Sequence, residues 1–112
     1  MAHIDPTRKY TFRVIWSDED GEFVGLCAEF PSLSWLAPSQ EAALQGIVRT
    51  VRSAVKDMLA AGDQVPPPLT DREYSGVFKV RVPPIVHRNL VIEAAEAGVS
   101  LNRLVSAKLA HG

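Results

Sequence analysis

Residues 77–82 alternate strictly. Val77, Lys79 and Arg81 fall on one face, and Phe78, Val80 and Val82 on the other. That is the period of a half-buried strand. Pro83-Pro84 ends it and suits the start of a helix. The helix is expected to reach Ala97 with Val86, Leu90 and Ala94 inward. Gly98 stops it, and Ser100 is a natural N-cap for a second helix carrying Leu101, Leu104, Val105 and Leu109 inward. A lone strand leaves its backbone N–H and C=O groups unpaired. A segment of about 37 residues is also too small to bury a stable core alone. Both deficits vanish if two chains pair these strands antiparallel and interleave their helices. Phe78, Val80 and Val82, with Leu90 and Leu104, then form the dimer core.

The other face of that ribbon carries Val77, Lys79 and Arg81 from each chain. A two-stranded ribbon fits the major groove of DNA. Lys79 and Arg81 can donate to guanine O6 and N7, and Val77 can touch a thymine methyl or merely pack. Backbone amides at Ser100, Leu101 and Asn102, which open the second helix, can hold a phosphate. A strand bearing two cations is often just a solvated surface. The complete string of strand, prolines, helix, Gly-x-Ser and helix is far more specific.

The net charge of −1 hides an asymmetry. Residues 1–75 hold 7 Lys/Arg and 11 Asp/Glu, a balance of −4, and residues 76–112 hold 5 and 2, a balance of +3. An acidic front and a basic tail imply modules with different partners. No apolar run is long enough for a membrane span, and the N-terminus has no secretory pattern. A cytoplasmic protein is expected. Cys27 is the single cysteine, so an internal disulfide is excluded.

The front half reads as a small antiparallel sheet with one covering helix, an α+β fold over residues 9–62. Residues 1–8 lack periodicity and are expected to be irregular. Residues 9–16 form a strand with Tyr10, Phe12, Val14 and Trp16 on one face. Residues 17–21 are turn chemistry. Residues 22–30 form a second strand with Val24, Leu26, Ala28 and Phe30 on one face, and residues 34–36 a short third. Ser39 caps a helix whose stripe is Leu44, Ile47, Val48, Val51, Val55, Met58 and Leu59. Gly46 weakens that helix, and Gly62 stops it. Residues 63–75, with Pro66-Pro67-Pro68, read as a stiff extended spacer. Residues 76–112 are the second domain.

Little points to catalysis. Asp18, Glu19, Asp20 and Glu22 crowd one hairpin turn, where acids serve as turn formers. A two-metal site needs carboxylates converging from separate elements, and Glu29 is the one further candidate. His3, His87 and His111 have no zinc spacing. Cys27 reads as a buried filler, and Trp16 and Trp35 as core or interface anchors. Arg49, Arg52 and Lys56 share a helix face that is solvated or meets an acidic partner. Neither a cofactor nor a metal is expected, and the chain is not expected to be an enzyme.

The tail, Gly76-Val-Phe-Lys-Val-Arg-Val-Pro-Pro followed by Leu90-Val-Ile-Glu-Ala-Ala-Glu-Ala-Gly-Val-Ser-Leu-Asn-Arg-Leu-Val, resembles ribbon-helix-helix repressors of the Arc/MetJ type. Together with Trp16-Ser-Asp-Glu-Asp-Gly-Glu-Phe-Val-Gly, Glu29-Phe-Pro-Ser-Leu, the helix start at residues 39–44 and Pro66-Pro67-Pro68, it resembles the HicB family of antitoxins. That resemblance implies a partial ribonuclease-H-like front domain that silences a small HicA-type, mRNA-cleaving toxin. It also implies a dimeric tail that represses the shared operon by binding operator DNA. In the ribbon family the three outward strand residues read bases, which here are Val77, Lys79 and Arg81. Val77 is apolar where many relatives are polar. Ile85, Val91 and Ile92 exceed the needs of one buried face and suggest packing on the front domain or on a second dimer. Ala37-Pro38 replaces the family's glycine-containing turn. The alternative is an orphan regulator whose front domain drives oligomerisation or binds another protein.

Overall fold

The structure, a computed structural model, describes residues 5–111. His3 therefore lies outside the described residues. The chain divides into two compact units, Met1–Tyr74 and Ser75–Gly112.

The first unit is α+β. Strands β1 (Phe12–Ser17), β2 (Glu22–Cys27) and β3 (Ser34–Ala37) form an antiparallel sheet in the order β1-β2-β3. The turn between β1 and β2 closes where the Gly21 amide donates to the Ser17 carbonyl at 2.9 Å. Helix α1 (Gln40–Ala60) covers one face of the sheet. Ser39 caps it as expected, with its hydroxyl accepting from the Ala42 amide at 3.1 Å. Both β1 and β2 are shorter than the sequence suggested. Pro6–Lys9 is a turn of 3-10 helix, capped by the Asp5 carboxylate, which accepts from the Thr7 amide at 2.9 Å and the Thr7 hydroxyl at 2.6 Å. Beyond Cys27 the Phe30 amide turns back onto the Cys27 carbonyl.

The buried face of β2 is the reverse of the expected one. Gly25, Cys27 and, beyond the strand, Glu29 are buried, while Val24 and Leu26 are half-buried and Ala28 is exposed. Cross-strand pairing explains this: Phe12 opposes Cys27 and Val14 opposes Gly25 on the helix side. The helix lies so close that small residues must face it. A side chain on Gly25 would stand 2.5 Å from the Ala43 carbonyl oxygen and 2.7 Å from Ile47 Cγ2. The core is Tyr10, Cys27, Ile47, Val51 and Val55, flanked by Phe12, Phe30, Leu33 and Val65. Leu44 and Leu59, both read as inward, are exposed, because α1 turns Ala43, Gly46 and Ile47 to the sheet.

Residues 65–71 are built onto this unit and do not hang free as a spacer. Val65 packs on the core. The Tyr10 hydroxyl donates to the Pro66 carbonyl at 2.6 Å, and Glu29 accepts from the Leu69 amide at 3.0 Å.

In the second unit, α2 (Pro84–Ala97) and α3 (Leu101–His111) lie where the sequence placed them. Gly98 adopts φ 68°, the left-handed conformation that a Cβ disfavours. The Val99 amide closes the helix end on the Ala94 carbonyl at 3.1 Å. Ser100 accepts from the Arg103 amide at 3.1 Å, capping α3. Residues 77–82 are not a strand here. They precede α2 without ladder pairing.

Candidate functional site

The second unit exposes what a small domain normally hides. Ala94 is its one buried hydrophobic residue among those described. Phe78 is 70% exposed, Val80 66% and Val82 43%. Leu90 and Leu104 are half-buried, as are Leu101 and Val105, whereas Leu109 is exposed. Exposed apolar surface of this density is uncommon on a small domain that stands alone. Two open clefts collect these groups. One of about 670 Å³ brings Val80, Arg81 and Val82 beside Leu90, Leu101 and Val105. The other, about 440 Å³, brings Val77, Phe78 and Val80 beside Leu101 and Asn102. The two helices themselves are held by packing and by a Lys108–Glu93 ion pair at 3.1 Å.

Val77, Lys79 and Arg81 are all exposed, Val77 at 85%. Ser100 uses its hydroxyl as the α3 cap. Its neighbours are half-buried Leu101 and exposed Asn102. The start of α3 therefore presents backbone amides at a helix N-terminus, beside exposed Asn102.

The first unit carries a second exposed apolar surface, which sequence periodicity did not reveal. The sheet face away from α1 has Ile15, Val24 and Leu36 aligned in one cross-strand row. Ile15 is 42% exposed and Leu36 44%. On the opposite, helix-side face, Trp16, 51% exposed, stacks edge-on against Phe23 at 5.0 Å and donates from Nε1 to Asp18 at 2.6 Å. The signal was present as apolar residues on both faces of β2, which one covering helix cannot bury.

The acidic turn is occupied locally. Asp18 bonds Trp16, and Asp20 accepts from the Ser17 hydroxyl at 2.9 Å. Glu29 is a brace. Its carboxylate accepts from the Thr11 amide at 2.8 Å, the Thr11 hydroxyl at 3.2 Å and the Leu69 amide. Burial pushes its pKa up, but donation from Leu69 and Thr11 outweighs that and holds it below the ordinary value. Burial pushes the Cys27 thiol up, which disfavours the reactive thiolate. Among the described residues no group of three or more His, Cys, Asp or Glu could hold a metal ion. No described helix is long and apolar enough to cross a membrane.

Comparison with curated proteins and with solved structures gives no match to this chain. Residues 62–109, which run from the end of the first unit through nearly all of the second, match the model of the HicB family, and this supports membership of that family.

Proposed function

We propose that this chain is a HicB-type antitoxin: a ribbon-helix-helix dimer that binds its own operator and carries a toxin-neutralising front domain. The observation that carries the reading is the segment 77–82. It alternates in sequence, lies outside any helix or strand and is uncovered, beside two half-exposed helices, in a stretch that matches the HicB family. Pairing two such segments antiparallel would satisfy their backbone groups and bury Phe78, Val80 and Val82 against Leu90 and Leu104. It would also set Val77, Lys79 and Arg81 of both chains on the outer face, sized for a major groove. The amides at Ser100, Leu101 and Asn102 would then hold flanking phosphates. The row Ile15, Val24 and Leu36 offers the acidic front unit a contact for a small basic toxin.

Co-expression tests the antitoxin half. A small basic protein encoded beside this chain should arrest growth alone. Co-expressed with this chain it should form a stable complex and lose its toxicity. A neighbour that neither binds nor is neutralised removes the toxin from the account.

A further inference from the structure

Helix α2 is apolar on two sides. Ala94 marks the side packed within the unit. At about 100° per residue, Ile85 lies about 180° and Ile92 about 160° around the helix from Ala94. Ile85 is 54% exposed and Ile92 42%. Contacts that bury Leu90 and Ala94 cannot reach this outer stripe, so pairing of the ribbons leaves it bare. Arg88 and Glu96, both exposed, flank it. They stand four residues before and four residues after Ile92. Among the described residues neither has an ion partner.

That spacing is self-complementary. If two α2 helices lie antiparallel about a two-fold axis at Ile92, each Arg88 faces the other copy's Glu96. Both ion pairs form at once over the isoleucines. A partner of uniform charge would satisfy one flank and repel the other. We infer that the outer stripe of α2 is an isologous contact between copies of this chain, centred on Ile92 and keyed by reciprocal Arg88–Glu96 pairs. It rests on the ribbon dimer of the proposed function, which it joins into a dimer of dimers.

Sedimentation equilibrium of the full chain, without DNA or toxin, tests this. The wild type should reach four chains. Arg88→Glu and Glu96→Arg should each raise the dissociation constant for the four-chain particle by about tenfold or more, since two attractions become two repulsions. The double swap R88E/E96R should restore assembly. If the ribbon reading fails but this contact holds, the wild type reaches two chains and each single swap gives one. A mass unchanged by either swap, or a double swap that fails to restore it while helix content is intact, overturns the inference. A front domain seated on the stripe would appear as that second result.

Discussion

The Trp35 indole occupies the space where a side chain on Gly46 would stand. A Cβ on Gly46 would collide with the indole's Cδ1 and Nε1 atoms. Trp35 opposes Gly25 in the neighbouring strand, and Gly25 in turn admits Ala43 and Ile47. Glycines on sheet and helix thus let α1 sit close, with Arg49 over the Trp35 ring at 5.7 Å.

Gly46→Ala should therefore destabilise the first unit. Helix propensity alone would favour alanine by about 1 kcal/mol. Overpacking should outweigh that and leave a net loss of about 1–3 kcal/mol. Urea unfolding followed by tryptophan fluorescence measures it. Combining the change with Trp35→Ala should cost less than the sum of the two single losses, because the clash is gone.

The Glu29 brace predicts an acid-sensitive strap. Its folded pKa lies below the unfolded one, so its contribution is present above the unfolded value and fades as pH falls through the folded one. Amide exchange at Leu69, corrected for intrinsic pH dependence, should lose protection on acidification before the β1–β2 ladder does. In Glu29→Gln, Leu69 protection should already be reduced at neutral pH. Equal protection in mutant and wild type would show that Val65 and Tyr10 hold the strap unaided.

Ser100→Ala should cost about 1 kcal/mol through the lost α3 cap. Gly98→Ala should cost about 1–2 kcal/mol because its backbone is left-handed. Both effects should appear in the thermal midpoint of the assembled protein. Loss of activity without loss of stability would assign Ser100 to phosphate binding instead.

Phe78→Ala removes a side chain that touches little within its own chain, since it is 70% exposed. Truncating an aromatic buried in a dimer costs about 3–5 kcal/mol per site. Sedimentation should show the mutant dissociating at concentrations where the wild type is assembled, with front-unit fluorescence unchanged.

Local signals made the helices and turns legible. Ser39, Gly98 and Ser100 act where their chemistry places them, and β3 follows from residues 34–36. The buried face of β2 was not legible. Periodicity assigns the larger residues inward, but close helix packing demands Gly25 and Cys27 there and leaves Val24 and Leu26 on the bare face. The anchoring of the proline segment is hidden from the sequence for a related reason. Its composition gives extension, whereas its anchoring depends on Tyr10 and Glu29, more than thirty residues away. The strand expected at residues 77–82 is not formed in the structure: its alternation is visible in sequence, but these residues have no ladder partner, and the pairing we propose for them needs a second chain.

The most direct test is a fluorescence titration of the chain's own promoter DNA with full-length protein across a range of salt. The account predicts specific binding that weakens steeply with salt. It also predicts that Arg81→Ala loses about 1–3 kcal/mol and discriminates less between operator and unrelated DNA. Binding that is absent at low salt, or unchanged in affinity and selectivity when Lys79 and Arg81 are both replaced by alanine, would contradict it.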